Sequence, residues 1–531
     1  MKKLTLLLIL FLISAEIFSQ ANEKQNPNVQ LPDFVITGKD VVSLQKARKI
    51  DPGYISTISE AFIKPVFSPE ELGFREFLNP IKNDIALTDS IRIYNTNLNI
   101  ATGIYTSPSA SINFVQPFSG GIFEVLVGGD NHRAYIDNTD RLSVRGGANL
   151  AFYPSITSSI KGTQFKFHGD YGLSQYKFYA SNIPTQRRNF YAGNFSAEIS
   201  NLVNRQFNFN ILATDNYTFL NNENFTENLL KISGLLKANF SYFKIGSYLN
   251  YQGQSIDNNI VTKSNFNYFS ARPFVQIDLQ NTFKLIGGAT YSSLGPQNYI
   301  APYISTALKL GNSISVYGEY KPSGEFVTSG HLLRGNEYFN PHSISNIFIK
   351  KTNDLKFTFK YEYFTFFEVD AGLSYFKADN LPYYMNSVLS GRFDVGLASA
   401  KNYSGFIDLL FHEGPNGTFY GSAVYSDTKD LNNNYIPYSP KITVNFSYGF
   451  QFDFGMYAEP KVYINSDSFA DLANTLKIDS NINLGFKLAY KFARNFLLNV
   501  ELFNLMDRKN FKWYGYQQPP LDLLAGLTYK W

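Results

Sequence analysis

The stretch Asn481-Ile482-Asn483-Leu484-Gly485-Phe486-Lys487-Leu488-Ala489-Tyr490-Lys491-Phe492 alternates without a break. Ile482, Leu484, Phe486, Leu488, Tyr490 and Phe492 fall on one side, and Asn481, Asn483, Gly485, Lys487, Ala489 and Lys491 on the other. Successive side chains of a strand point to opposite faces, so this is a strand with one apolar and one polar face. It is also long: soluble strands average about 5 or 6 residues, whereas crossing a bilayer at a tilt takes about 9–11. The pattern recurs in Lys441–Phe450, Leu355–Tyr363 and Phe367–Tyr375, and more briefly in Arg205–Ala213. The apolar faces end in Tyr, Phe or Trp, as expected of aromatic girdles at the two membrane interfaces. Short connections such as Leu310–Ser313 and Gln280–Thr282 alternate with longer polar ones. In lipid, strands satisfy all their backbone groups only when the sheet closes on itself. The expected fold is all-β: a transmembrane, antiparallel, up-and-down β-barrel.

Composition agrees. Of 531 residues, 17% are aromatic (49 Phe, 37 Tyr, 2 Trp), a share equal to that of all charged residues. With no cysteine, the chain has no disulfides, thiolate metal sites or cysteine nucleophile. Lys and Arg number 47 against 43 Asp and Glu and form no blocks, so no nucleic-acid partner is expected. After the first twenty residues no run of 18 apolar residues occurs, so no helix is expected to span a membrane.

Three segments follow. Residues 1–19 read as a signal peptide: Lys2 and Lys3, then an apolar stretch from Leu4 to Ile13, then Ser19 before Gln20. Residues 97–531 are the barrel, and 435 residues at about 20–25 per strand give roughly 18–22 strands. A barrel that size is too wide for its own side chains to fill. Residues 20–96 form a short, mostly irregular N-terminal segment, periplasmic or lumenal and a possible small plug. Ser68-Pro69-Glu70-Glu71 starts one short helix with an N-cap, a first-turn proline and a reciprocal cap, and Asn79-Pro80 ends it. Leu31–Gly38 is a strand candidate that could add to a partner's sheet edge, or simply pack in the lumen. The expected exception to tidy strand spacing is Lys321–Asp354, a long outer or infolded loop.

The chain closes on Leu521–Trp531, in which Leu521, Leu523, Ala525, Leu527, Tyr529 and Trp531 share an apolar face that only Leu524 breaks on the polar side. Ending on an aromatic in the lipid-facing register resembles the signal that barrel-assembly machinery reads, carried here by Leu527, Tyr529 and Trp531. Together with Phe34-Val35-Ile36-Thr37-Gly38, Val500–Leu505 and Trp513-Tyr514-Gly515-Tyr516, it makes the chain resemble TonB-dependent receptors, specifically the receptor-like barrels of Bacteroidota-type bacteria. That resemblance implies uptake of large or scarce nutrients across the outer membrane. It also implies a TonB-like periplasmic energy-coupling protein gripping Asp33, Phe34, Val35, Ile36 and Thr37. Residues 20–96 are too few for the full plug domain of such receptors.

Chemistry-bearing motifs are scarce. The five histidines (His132, His168, His331, His342, His412) lack metal-ligand spacing, and no phosphate loop or nucleophile elbow occurs. His331 with Glu337 is the best rim pair, and reads as an exposed loop pair. No enzyme activity and no cofactor are expected. Alternation turns Lys356, Lys360, Glu362, Glu368, Asp370, Lys487 and Lys491 toward the lumen; their mixed signs argue against strong ion selectivity. The expected function is an outer-membrane channel or receptor moving solutes, with a structural or assembly barrel that anchors a partner as the alternative.

Overall fold

The structure, a computed structural model, describes residues 96–531 apart from 155–161, 203, 205, 259–262, 280–281, 312, 364–366 and 415–416. The helix expected after Ser68 and the strand around Asp33–Thr37 lie outside the described residues. Strands pair antiparallel with their sequence neighbours from Thr96–Gly103 round to Asp522–Lys530. The first and last then pair with each other, from Asn97 opposite Lys530 to Gly103 opposite Leu524, so the sheet is closed. Ile314–Tyr320 and Ser323–Thr328 pair with successive parts of Asn346–Tyr363 and form one interrupted strand. Counted so, the barrel has 22 strands, the top of the expected range.

Orientation follows from the connections. At the end bearing Trp531 they run to five residues or fewer, apart from 153–163. One is Ser119-Gly120, where glycine adopts a φ of 87° that a Cβ would strain. At the other end they include 329–345, 466–480 and 504–521. Short turns inside and long loops outside are the outer-membrane arrangement. Aromatic contacts girdle the inner rim, among them Phe367–Phe411 (4.4 Å), Phe450–Phe452 (4.7 Å) and Phe496–Tyr529 (4.7 Å). The outward faces expose Ile112, Phe195, Ile232, Val275, Ile304, Phe357 and Ile407, an apolar belt suited to lipid.

The alternation read from sequence is present, and every quoted segment falls within an observed strand to within two residues. One expectation needs correcting. Asn346–Asp354 is strand, and the outer connection spans only 329–345. The sequence hides this because Ile347, Phe348 and Ile349 are all buried, and a strand covered on both faces carries no period-two signal. One face, Ile347 and Ile349, is covered by Leu332, Leu333 and Phe339 of the connection 329–345, which folds with its helix Ser329–Gly335 into the barrel mouth. The other, Phe348, packs on Tyr268 and Leu294 of wall strands.

Candidate functional site at the outer mouth

Phe367–Asn386 and Phe393–Gly414 have 20 and 22 residues. At about 3.3 Å per residue and a 45° tilt these climb roughly 45–50 Å, well past a ~25 Å apolar band. They lift the connection 387–392 above the membrane and across the mouth. There the Asn182 amide donates to Ser390 Oγ (2.9 Å) and Tyr516 Oη donates to the Gly391 carbonyl (2.5 Å). Loops rooted on distant strands therefore meet over the lumen. The Gly515 turn (φ 81°) in the hairpin Phe511–Gln517 brings Trp513 and Tyr516 into an aromatic core with Tyr176, Phe178, Tyr338 and Phe393. Tyr338 and Tyr516 stack at 3.6 Å, and Tyr135 and Tyr179 both donate to the Gln517 carbonyl (2.6 and 2.7 Å).

Beneath that roof, 329–345 is bolted to the wall by buried charges. Arg188 makes a bidentate pair with Glu223 (2.7 Å twice), and Arg392 reaches the same carboxylate at 2.5 Å. Both guanidiniums lie over Phe178, at 4.7 and 4.4 Å. Arg188 Nη1 also donates to the carbonyls of Glu337 (2.6 Å) and Phe339 (2.9 Å), so the wall grips the lid by its backbone. Burial works to raise the Glu223 carboxyl, but Arg188 and Arg392 outweigh it and hold it below the usual carboxylate range. A second bolt is Glu227, which accepts from Thr328 Oγ1 (2.8 Å), the Gly330 amide (3.0 Å) and Gln254 (2.8 Å). A Cβ at position 330 would sit 2.4 Å from Glu227 Oε1, so any larger residue has to displace the carboxylate that forms this bolt. Tyr384 Oη donates to Leu332 O (2.7 Å), and Leu332, Leu333 and Phe339 fill the apolar space below.

The residues singled out from sequence lie elsewhere. Lys360 Nζ reaches Glu362 (2.6 Å) and Glu368 (2.7 Å), with Asp370 opposite it in register and Asp408 beyond. Lys356 faces Ser374 and Glu319 in the ladders. Lys487 lies 3.4 Å from Glu501 and opposite Glu459, while the Lys491 amide bonds Gly455 near an inner turn. Trp531 exchanges both backbone hydrogen bonds with Thr96, Tyr529 stacks on it at 5.0 Å, and Leu527 is exposed on the outward face. His331 does not meet the Glu337 side chain in an ion pair: Glu337 binds Arg141 (2.8 Å), and the His331 amide caps on Thr328. Sequence reasoning missed Arg188, Glu223, Glu227 and Arg392. Glu223 sits in a polar Asn-rich turn, and nothing local marks cations 35 and 169 residues away as its partners.

No protein-family model and no curated protein matches this chain. Among solved structures it is similar to the siderophore receptor PirA from Acinetobacter baumannii, at 10% identity and TM-score 0.61, over 82% of this chain and 80% of that one. It is also similar to the ferric-catecholate import receptor Fiu from K12 E. coli (11%, 0.60, 83% and 82%). A third is the copper transporter OprC (12%, 0.59, 82% and 80%). At such identities the likeness is one of fold.

Proposed function

We propose that this outer-membrane barrel, which has the fold of TonB-dependent receptors, moves solutes across the outer membrane through a gated lumen. The observation that carries the reading is the pairing of a 22-strand wall, too wide to be filled by its own side chains, with outer loops that fold inward and pack together over its mouth. A diffusion pore has no use for buried charge bolts across its entrance. In this reading the lid yields to an arriving solute, and a TonB-like periplasmic protein drives release by pulling on Asp33, Phe34, Val35, Ile36 and Thr37. Lys356, Lys360, Glu362, Glu368, Asp370, Lys487 and Lys491 serve as a solvated wall of mixed sign, binding no particular ion. Leu527, Tyr529 and Trp531 serve assembly.

Planar-bilayer conductance of the mature protein, beside a form lacking residues 20–95, tests this. A closed full-length form and an open truncated form support gated, partner-driven uptake. Equal steady conductance makes the protein a diffusion porin. Silence in both favours a barrel that anchors a surface partner, a reading to which the packed aromatic roof also lends itself.

A further inference from the structure

Phe367, Phe411 and Phe419 lie side by side in register on Phe367–Asn386, Phe393–Gly414 and Gly417–Asp430, within the inner girdle. Ten residues farther out on each of these strands, Lys377 stands opposite Lys401, and Lys401 opposite Lys429. Their neighbours in sequence, Ala378, Ala400, Asn402 and Asp430, are buried on the lumen side, so the three lysines project outward from the wall. At about 3.3 Å per residue and a 45° tilt, ten residues climb about 23 Å, close to the ~25 Å height of the apolar band. The step just below the row is aromatic: Tyr375 packs on Tyr403 at 4.8 Å, and Tyr425 is exposed next to them. The row therefore stands at the outer membrane interface, above the outer girdle.

Like charges directly opposite one another on neighbouring strands destabilise the sheet. Elsewhere the rim meets such a pair with its own carboxylate: Lys177 lies opposite Arg187, and Asp140 binds both, at 2.5 and 3.2 Å. In the lysine row Asp427 serves Lys429 at 3.0 Å. Among the described residues, Lys377 and Lys401 have no carboxylate within ion-pair distance. Asp379 accepts from Ser399 Oγ instead (2.8 Å). A fourth lysine joins at the edge. Tyr435 is bridged to Lys429 in the sheet, and its ring lies under both Lys429 (4.8 Å) and Lys441 (4.0 Å).

We propose that Lys377, Lys401, Lys429 and Lys441 form a docking site for the phosphorylated headgroup of an outer-leaflet glycolipid. Phosphate supplies the counter-charge that the strands lack, and lysine is a common partner for it. The height of the row decides for a lipid over a soluble anion. Directly beneath it the outward face continues as exposed Tyr403, Leu373 and Ile407, so one molecule with a charged head and acyl chains satisfies both levels. The site lies on the outside of the wall and is independent of what the lumen passes.

The test titrates the mature protein, in a nonionic detergent, with diphosphoryl lipid A and with the same lipid stripped of phosphate, binding being followed by native mass spectrometry. A basic residue near an anionic lipid surface is worth about fivefold in affinity. The Lys377→Gln, Lys401→Gln double variant should therefore bind the phosphorylated lipid about thirtyfold more weakly, and the Lys377→Arg, Lys401→Arg variant almost as well as the parent. Lys177→Gln with Arg187→Gln removes two cations from the same rim and should leave binding unchanged. Heat-modifiable migration in gels identifies each variant as a folded barrel. Equal affinity for the two lipids, no binding of either, or equal losses in the two glutamine variants overturns the site. Displacement of the lipid by equimolar inorganic phosphate overturns the lipid as its occupant.

Discussion

Glu223→Gln is the sharpest single perturbation of the mouth. The carboxylate is almost fully buried between Arg188 and Arg392, themselves buried against Phe178, and the amide keeps its size and one acceptor. Two guanidiniums then remain in a low-dielectric pocket with no counter-charge. Removing one partner of a buried pair costs about 3–5 kcal/mol. At 1.36 kcal/mol per decade the lid should open at least about a hundredfold more often. Because the wall strands close through their own ladders, the loss is confined to the mouth. Hydrogen exchange reads this directly at amides held within the lid, such as Asn336 to Leu332 O and Phe339 to Asn336 O, with the Phe393–Gly414 ladder as internal reference. Unchanged protection in 329–345 would refute the bolt, and so would equal loss in lid and ladder. The same carboxylate sets the pH response. Its folded-state value is depressed, so its stabilisation is fully present above the unfolded carboxylate value near ~4.3 and is lost as pH falls through the lower folded one. The protection lost in Glu223→Gln is read as the difference between wild type and variant, so that the lid histidines His331 and His342, both held below the usual imidazole value by desolvation, cancel. That difference should stay constant from pH 8 to about 5 and vanish only in stronger acid; a difference already gone at pH 6 would contradict this.

Other consequences are as direct. Gly330→Ala drives a Cβ against Glu227 and should release the same lid amides while leaving barrel melting unchanged; an unaltered exchange pattern would show that the helix start can shift aside. Leu373 faces lipid and Ser374 the lumen, where its hydroxyl meets Ser404 (2.6 Å). Leu373→Arg should therefore cost about 2–4 kcal/mol in bilayer unfolding and Ser374→Arg far less, and equal costs would invert the assigned faces. Trp531→Ala removes a ring stacked on Tyr529 and is expected to cut the yield of folded barrel in cells. Barrel refolded in vitro should lose only about 0.5–1.5 kcal/mol, and a large in-vitro loss would assign Trp531 to stability rather than assembly.

The wall was legible and the mouth was not, for one physical reason. A membrane strand must meet lipid on one side and water on the other at every second residue, so Asn481–Phe492 declares itself without reference to the rest of the chain. The girdles and tight inner turns are equally local. The lid obeys no such rule. Ile347-Phe348-Ile349 lost its alternation because the infolded connection covers one face and wall strands the other. Arg188, Glu223 and Arg392 are set beside one another only because loops from distant strands converge over the lumen. Trp513 and Tyr516 were visible as a C-terminal aromatic motif, yet their contacts are with Tyr338, Phe393 and Tyr384 across the mouth. The same split orders the energetics. Ladder bonds in the wall are numerous and individually replaceable, so the wall tolerates substitution as long as the face is kept. The lid hangs on two carboxylates, Glu223 and Glu227, each holding several donors at once. A lid held this way opens cooperatively, because losing either carboxylate's partners leaves polar groups buried without partners and favours release of the rest. The opening transition in 329–345 should accordingly be a single step, with the amides of the helix and of Phe339 exchanging at one common rate.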